Sequence, residues 1–232
     1  MTPENGNTTP EKLRVLNVNF AGCEGCNVSV LRAYPKISDV VDLDIAYLGE
    51  RRHESYDVAI ITGGVCMNDP KNVEELKEIR KISNIVVAFG SCATFGGILR
   101  FCRGGQEPRP DQRNFQPANS VIKVDYSIPG CPPTPQMLVS FFKFLREGNE
   151  RRLRLFKVVA GVKKLSGFDL IDDVVLTGLC IGCGACELSC PTGAIRLIEK
   201  RPDLIQEKCI RCGTCYVRCP RASSIICMKG GD

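Results

Sequence analysis

The chain has 232 residues, of which 31 are Lys or Arg and 26 are Asp or Glu, so its net charge is +5. This charge is too small and too scattered to indicate a nucleic-acid partner or a lipid surface, and no apolar run approaches the length of a membrane span. The length suits one medium domain followed by one small domain. Fifteen cysteines in a chain without an apolar export segment predict metal ligation and a cytoplasmic location.

Residues 1–13 are polar and are predicted to form a flexible tail. Beyond them, strand-like and helix-like segments alternate as far as residue 150. The predicted strands are Arg14–Phe20, Leu43–Tyr47, Asp57–Thr62, Asn84–Gly90 and Val121–Ile128. The predicted helices are Asn27–Tyr34, Pro70–Ile82 and Thr134–Glu147. This alternation predicts an α/β domain over residues 14–150, with a flavodoxin-like, doubly wound parallel sheet.

Five cysteines follow the carboxyl ends of these predicted strands, namely Cys23, Cys26, Cys66, Cys92 and Cys131. In an open α/β sheet the carboxyl ends of the strands lie along one edge, where ligands bind. The five thiols are therefore expected to meet in space and to form a cluster site. The alternative is that they are buried structural cysteines, because free Cys is commonly buried.

Two segments do not fit the strand and helix pattern. Arg100–Pro117 is polar, rich in Gly and Pro, and too long for an ordinary connection, which predicts either a partner-docking loop or a mobile surface loop. Residues 147–167 are charged and helix-like, and a helical linker is predicted over residues 151–171. Cys102 and Cys227 fit no spacing pattern and receive no predicted role.

The last segment, residues 172–232, contains one cysteine pattern twice. Each copy has the spacing C-x2-C-x2-C-x3-C-P, by which two-cluster bacterial ferredoxins bind a pair of 4Fe-4S clusters. The fourth cysteine of each copy ligates the other cluster, so a small ferredoxin-like α+β domain with crossed ligand sets is predicted. The two predicted sets are Cys180, Cys183, Cys186 and Cys219, and Cys190, Cys209, Cys212 and Cys215.

Zinc and disulfides are the alternatives for these eight cysteines. Structural zinc sites usually combine two C-x2-C pairs, or Cys with His, and use four ligands for each ion. Here each copy has four cysteines followed by Pro, and the chain contains one His. Disulfide frameworks belong to small secreted domains. The spacing therefore favours two 4Fe-4S clusters.

Three strand-end motifs resemble a known signature. C-E-G-C (23–26), G-S-C-A (90–93) and P-G-C-P-P (129–133) resemble the proximal-cluster motifs of nickel–iron hydrogenase small subunits and of the related subunit of respiratory complex I. With RFCRGGQ, GCPPTP, LREGNE and GLCIGCGACELSCP, the chain from about Val15 onwards resembles the gamma subunits of the coenzyme F420-reducing hydrogenases of methanogenic archaea.

This resemblance implies one subunit of a larger hetero-oligomeric oxidoreductase, with no catalytic site of its own. In such an enzyme a large subunit with a nickel–iron centre oxidises hydrogen, and a flavin subunit with FAD reduces coenzyme F420. The gamma subunit relays electrons between them through three 4Fe-4S clusters. The resemblance also implies that Cys23, Cys26, Cys92 and Cys131 ligate the proximal cluster, and that Cys66 is a neighbour rather than a ligand.

One turn departs from the hydrogenase pattern. Hydrogenase small subunits usually have Glu-Gly after the third strand, whereas this chain has Thr62-Gly63-Gly64, an uncharged turn closer to the complex I type. A missing carboxylate would change the potential of the proximal cluster or remove a proton acceptor. The turn therefore keeps open one alternative, an electron relay in a nickel-free oxidoreductase complex. A second alternative, independent of the turn, is a non-redox binding module in which clusters or zinc are structural staples.

Overall fold

The structure is a computed structural model that describes residues 12–46, 51–100, 114–162 and 164–229, with their side chains except those of 223, 224 and 227–229. Residues 1–11 of the predicted tail 1–13, most of the segment Arg100–Pro117 with Cys102, and the side chain of Cys227 lie outside the described residues. Leu13, which was predicted to end the tail, is the first residue of a strand. Within the described ranges, no helix is long and apolar enough to cross a membrane.

In the described part of the chain, the strands are β1 (Leu13–Asn19), β2 (Val41–Ile45), β3 (Tyr56–Thr62), β4 (Val65–Cys66), β5 (Ser83–Phe89), β6 (Phe115–Gln116), β7 (Tyr126–Ile128), β8 (Ile195–Ile198) and β9 (Arg201–Leu204). The α-helices are α1 (Gly25–Ala33), α2 (Pro70–Lys81), α3 (Ser91–Phe95), α4 (Gly97–Arg100), α5 (Pro135–Arg146), α6 (Glu150–Ala160), α7 (Gly167–Leu170), α8 (Ala185–Leu188), α9 (Thr214–Arg218) and α10 (Pro220–Lys229). A π-helical turn, Ile171–Val175, follows α7.

Five strands form one parallel sheet in the order β2-β1-β3-β5-β7. Counted within this sheet alone, the order is 2-1-3-4-5, which is the flavodoxin-like arrangement with its switch point between the first and third strands. The predicted α/β class and doubly wound sheet are confirmed. The carboxyl ends of these strands lie at one edge, and ligands of such sheets bind in the crevice at the switch point.

The sheet is covered on both faces because successive side chains of each strand point to opposite sides. On one face, Val58 belongs to a buried core with Leu138 and Phe141 of α5. On the other face, Ile61 belongs to a second core with Leu76 of α2. The two helical layers bury the sheet on both faces, and the strand ends position the segments that follow them.

The predicted strand Val121–Ile128 is shorter in the structure, where β7 begins only at Tyr126. The N–H groups of Val121 and Ile122 donate to the carbonyl of Ala118 at 3.0 and 3.1 Å. These two apolar residues therefore close a turn, and their N–H groups do not pair with the sheet.

Residues 164–229, called the C-terminal unit below, have the small α+β fold that the repeated cysteine pattern predicts. β8 and β9 form an antiparallel hairpin, and α8, α9 and α10 are short helices around it. Tyr216, Leu170 and Ala222 lie in its buried core, together with Phe95 of α3. Phe95 thus joins the C-terminal unit to the loops of the parallel sheet.

The charged segment before the C-terminal unit forms α6. This helix packs against both the parallel sheet domain and the C-terminal unit, so it is more than a linker between them. The side chain of Asn149 caps its first turn by accepting a hydrogen bond from the N–H of Arg152 at 3.2 Å. Leu153 is buried in the core of the parallel sheet, and Val159 is buried in the core of the C-terminal unit. The charges lie on an amphipathic helix that contacts both units.

Candidate metal centres

A cavity of about 460 Å³, called the edge cavity below, lies at the carboxyl edge of the parallel sheet. Four cysteines that follow β1, β5 and β7 line it. Cys23 and Cys131 lie in loops, Cys26 lies in the first turn of α1, and Cys92 lies in α3. These are the four cysteines that the resemblance implies for the proximal cluster. Cys66 lies in β4, where it pairs with Phe115 of β6, and does not line this cavity. The expected meeting of five thiols therefore holds for four.

Glycines leave the room that these thiols need. Gly90 lies between β5 and α3 with a φ of +96°, and a Cβ atom at this position would collide with Sγ of Cys26. A Cβ atom at Gly97 would lie 3.1 Å from Sγ of Cys92. Glycine adopts positive φ without the strain that other residues suffer. The backbone around the cavity therefore fits a bulky group held by several sulfur atoms.

The thiols of Cys26, Cys92 and Cys131 in the edge cavity resist ionisation in the absence of a metal. Burial, together with the nearby Cys92 and Cys131, raises the pKa of Cys26 to about 12. Burial and neighbouring cysteines also raise the pKa of Cys92 to about 12 and that of Cys131 to about 11. A bound metal must displace these protons, and its positive charge offsets the repulsion among thiolates. The four thiol groups that line this cavity fit the ligation of a 4Fe-4S cluster.

The edge cavity also contains a carboxylate, that of Glu24. This carboxylate accepts hydrogen bonds from the side-chain amides of Asn19 and Asn27, the second at 2.5 Å. The hydroxyl of Thr62 lies 2.9 Å from Oδ1 of Asn19 and 3.0 Å from Oδ1 of Asn27. The turn after the third strand lacks a carboxylate, but its Thr62 supports the two amides that hold Glu24. The loop after β1 therefore supplies the negative charge that the turn does not.

Two further cavities lie in the C-terminal unit and have volumes of about 290 and 350 Å³. The smaller one, called the middle cavity, is lined by Cys190, Cys209, Cys212 and Cys215. The larger one, called the outer cavity, is lined by Cys180, Cys183, Cys186 and Cys219. Across the described residues, no three His, Cys, Asp or Glu side chains converge closely enough to hold a single metal ion.

Backbone N–H groups point at sulfur atoms in the C-terminal unit. The N–H of Ala194 donates to Sγ of Cys190 at 3.1 Å, and the N–H of Gly182 donates to Sγ of Cys180 at 3.4 Å. Burial favours a raised pKa at Cys190, but hydrogen bonds, chiefly from the Thr192 backbone, outweigh it and hold the pKa below its ordinary value. Such donors stabilise negative charge on sulfur, which helps to set the potential of a bound cluster.

The three cavities adjoin one another in the order edge, middle, outer. Ser91, which lines the edge cavity, donates a hydrogen bond at 2.6 Å to the carbonyl of Cys212, which lines the middle cavity. Cys215 of the middle cavity lies in α9, which is a single helical turn, and Cys219 of the outer cavity directly follows it. The geometry can therefore pass charge along a row of three sulfur-lined sites.

Known families and relatives match both parts of the chain. The family described as NADH ubiquinone oxidoreductase, 20 Kd subunit, matches residues 23–145, and the 4Fe-4S dicluster domain family matches residues 179–225. The chain is 41% identical to the gamma subunit of coenzyme F420 hydrogenase from Methanosarcina barkeri, over 82% of this chain and 80% of that protein. The chain belongs to this family of hydrogenase gamma subunits. The protein of the same name from Methanococcus voltae is 33% identical over 82% of this chain and 88% of its own.

Other relatives of this gamma-type chain belong to hydrogenases named for different activities. One F420-non-reducing hydrogenase subunit of Methanocaldococcus jannaschii is 31% identical over 61% of this chain and 58% of that protein. A solved NAD+-reducing [NiFe]-hydrogenase in the H2-reduced state aligns with 60% of this chain and 93% of its own, at a TM-score of 0.49 and 28% identity. The family assignment rests on the two gamma subunits, and it makes the chain an iron–sulfur electron-transfer subunit of an oxidoreductase.

The sequence motifs did not single out two residues, Glu24 and Ser91, that line the edge cavity in the structure. Glu24 stands inside the C-E-G-C motif, so a charged residue between two predicted ligands was a signal for it. Ser91 stands before Cys92 in G-S-C-A, and the structure gives its hydroxyl a hydrogen bond to the carbonyl of Cys212 at 2.6 Å.

Proposed function

We propose that this gamma subunit relays electrons through three 4Fe-4S clusters, from a hydrogen-oxidising nickel–iron large subunit to an FAD-containing subunit that reduces coenzyme F420. In this proposal the complex is a cytoplasmic group 3 nickel–iron hydrogenase, and this chain holds no catalytic site. The row of three adjoining cavities, each lined by four cysteines, carries the proposal. A 4Fe-4S cluster supplies reversible one-electron transfer.

The proposed ligands are the cysteines of the three cavities. The proximal cluster takes Cys23, Cys26, Cys92 and Cys131. The middle cluster takes Cys190, Cys209, Cys212 and Cys215, and the outer cluster takes Cys180, Cys183, Cys186 and Cys219. The proposed domains follow this grouping, with residues 14–150 around the first site, 151–171 as the connection and 172–232 around the other two.

The chain's own residues favour movement of electrons away from the edge cavity. The carboxylate of Glu24 places negative charge there, which opposes the addition of an electron. In the C-terminal unit, N–H groups donate to sulfur atoms of Cys180 and Cys190, which favours the addition of an electron. Net charge and hydrogen bonds to sulfur are two of the factors that set cluster potentials.

Exposed apolar side chains lie at both ends of the row and suit two different partners. Near the edge cavity, Val28 of α1 is 48% exposed and Ile98 of α4 is 55% exposed. Near the outer cavity, Ile181 is 59% exposed and Leu188 is 88% exposed. Burial of apolar surface is a main driving force of protein–protein association, so these side chains are available to stabilise a contact with a partner. We assign the first surface to the large subunit and the second to the flavin subunit.

The nickel-free relay is the second candidate, and it rests on the turn at Thr62-Gly63-Gly64. In the structure the hydroxyl of Thr62 supports the amides that hold the Glu24 carboxylate in the edge cavity. The cavity therefore has the charge that the turn lacks, and the turn no longer favours a nickel-free complex over a hydrogenase.

Purification of the native complex without oxygen tests the proposal. We expect stoichiometric nickel in a co-purifying large subunit and hydrogen-driven reduction of coenzyme F420. Parallel assays with a nicotinamide and with a ferredoxin as acceptor check the assignment of the acceptor. An iron-rich complex without nickel would keep the relay and reject the hydrogenase, whereas nickel with no F420 reduction would reject the acceptor.

A further inference from the structure

Ser91 connects three chain segments, and each segment carries a proposed cluster ligand. Its side chain is buried, with 2% of its surface exposed. Its hydroxyl donates a hydrogen bond to the carbonyl of Cys212 at 2.6 Å and accepts one from the N–H of Gly130 at 3.2 Å. Its own N–H donates to the carbonyl of Gly130 at 2.8 Å. One side chain therefore ties together the segments of Cys92, Cys131 and Cys212.

Packing beside this hydrogen bond holds it in place. α3 begins at Ser91 and ends at Phe95, and the ring of Phe95 is fully buried in the core of the C-terminal unit. A Cβ atom at Gly213, directly after Cys212, would lie 2.6 Å from the Phe95 ring. One helical turn thus contacts the loop of the middle cavity at both of its ends, through a hydroxyl at one end and an aromatic ring at the other.

The same contact offers a bonded route between two clusters. Electron tunnelling weakens steeply across a gap through space, and less steeply along covalent and hydrogen bonds. Backbone bonds lead from Cys92 to Oγ of Ser91, and one hydrogen bond leads from there to Cys212. The route joins a ligand of the edge cavity to a ligand of the middle cavity with one non-covalent step.

We propose that Ser91 is a positioning residue for electron transfer between the proximal and middle clusters, with its hydroxyl as the bridge between their ligands. In this step one electron is lost at the proximal site and gained at the middle site, with no bond broken and no proton moved. The inference rests on the proposed function, because it requires clusters in both cavities.

Ser127 provides a matched control for the loss of a buried hydroxyl. It lies in β7 with none of its surface exposed, and its hydroxyl has no hydrogen-bond partner among the described residues. Ser91→Ala and Ser127→Ala remove the same atom from a buried site near the same sheet. Only the first removes a connection between the two cavities.

The experiment uses the whole complex, purified without oxygen, and follows the clusters by rapid-freeze EPR after mixing with hydrogen. In Ser91→Ala we expect the reduction of the middle cluster to slow severalfold, because the electron loses the bonded route through the hydroxyl and must cross a gap between the two ligands. Iron content, cluster potentials and hydrogen–deuterium exchange at the large subunit stay as in the wild type, whereas the thermal unfolding temperature falls slightly because the carbonyl of Cys212 and the N–H of Gly130 each lose a buried hydrogen bond. Ser127→Ala keeps the wild-type rate, and Ser91→Thr, which retains the hydroxyl, regains most of it.

Three outcomes would overturn the bridge. The first is a wild-type rate in Ser91→Ala with full iron. The second is loss of iron from Ser91→Ala, which would assign Ser91 a folding role. The third is a Ser91→Thr complex with full iron that is as slow as Ser91→Ala. The wild-type sample distinguishes failure of the Ser91 bridge from failure of the proposed function. If the wild-type complex lacks three reducible clusters, the proposed function fails before any variant is compared.

Discussion

The edge cavity and the cavities of the C-terminal unit have the same number of cysteines but obtain them in opposite ways. In the C-terminal unit, three of the four cysteines around each cavity lie in one short segment, as in Cys180–Cys186. The edge cavity collects its four from three separate segments between Cys23 and Cys131, each after a different strand. One kind of site is set by spacing along the chain and the other by the order of strands in the sheet. The two kinds should therefore fail for different reasons.

The largest effect is expected from Gly90→Ala, which alters the edge cavity, the site that depends on the fold. The new Cβ atom would collide with Sγ of Cys26 at a backbone position with a φ of +96°. We expect loss of the proximal cluster, with iron falling from about twelve to about eight atoms per chain. Hydrogen-driven F420 reduction is then nearly abolished. Iron analysis and EPR of the purified complex check this result.

Gly148→Ala is the matched control for that substitution. Gly148 also has a positive φ, +60°, but no atom of the described residues lies within 4 Å of the position of its Cβ. The substitution costs about 1 kcal/mol of backbone strain and leaves the iron content unchanged. Full iron in Gly90→Ala would show that the edge cavity tolerates a side chain there, and would contradict the geometry.

Cys183→Ser removes one of the four cysteines of the outer cavity, a site that depends on spacing along the chain. Its effect should stay in the C-terminal unit. We expect the loss of up to about four iron atoms per chain and slower electron transfer to the flavin. Hydrogen–deuterium exchange at the large subunit persists, because the edge cavity is intact. Cys66→Ser is the control, since Cys66 lines no cluster cavity of the described residues. Lost exchange in a correctly assembled complex would reject the linear order.

Glu24→Gln should change the properties of the proximal cluster without removing it. The substitution removes the negative charge held by Asn19 and Asn27. The potential of the proximal cluster should therefore rise, by a shift on the order of 59 mV, which is a tenfold change in a one-electron equilibrium. Redox titration monitored by EPR measures it, with Glu78→Gln on the exposed face of α2 as the control. An unchanged or lowered potential would show that Glu24 does not act on the cluster.

The smallest effects are expected from substitutions at the two exposed apolar surfaces. These substitutions distinguish the partner bound near the edge cavity from the partner bound near the outer cavity. Leu188→Ser should weaken binding of the flavin subunit by about threefold to tenfold, and Val28→Ser should weaken binding of the large subunit to a similar degree. Iron content stays unchanged in both. Affinity measurements with the separated partners test the assignment, and reversed or equal effects on the two partners would reject it.

The sequence predicted the features that depend on local pattern. The alternation of apolar segments gave the strands of the sheet, because strands buried on both faces have few polar residues. The repeated spacing gave the two sets of cysteines that surround the middle and outer cavities. The positions of the other cysteines after strand ends gave the edge cavity, once the parallel order of the strands was assumed.

The features that the sequence did not predict depend on contacts between distant segments. The strand-end rule placed Cys66 with the other four thiols, but Cys66 pairs in a short antiparallel ladder with Phe115 and does not line the edge cavity. The hydroxyl of Ser91 meets the carbonyl of Cys212, 121 positions along the chain. Neither pairing leaves a periodic trace in the sequence, since each involves one or two residues whose partners are set by how two units pack.

The measurement that tests the central claim most directly is the iron and zinc content of this chain in the complex purified without oxygen. Three four-iron clusters on twelve cysteines predict about twelve iron atoms per chain, with matching inorganic sulfide and no zinc. About eight iron atoms would leave the edge cavity without a cluster and contradict the site set by the fold. Zinc in place of iron would contradict all three sites.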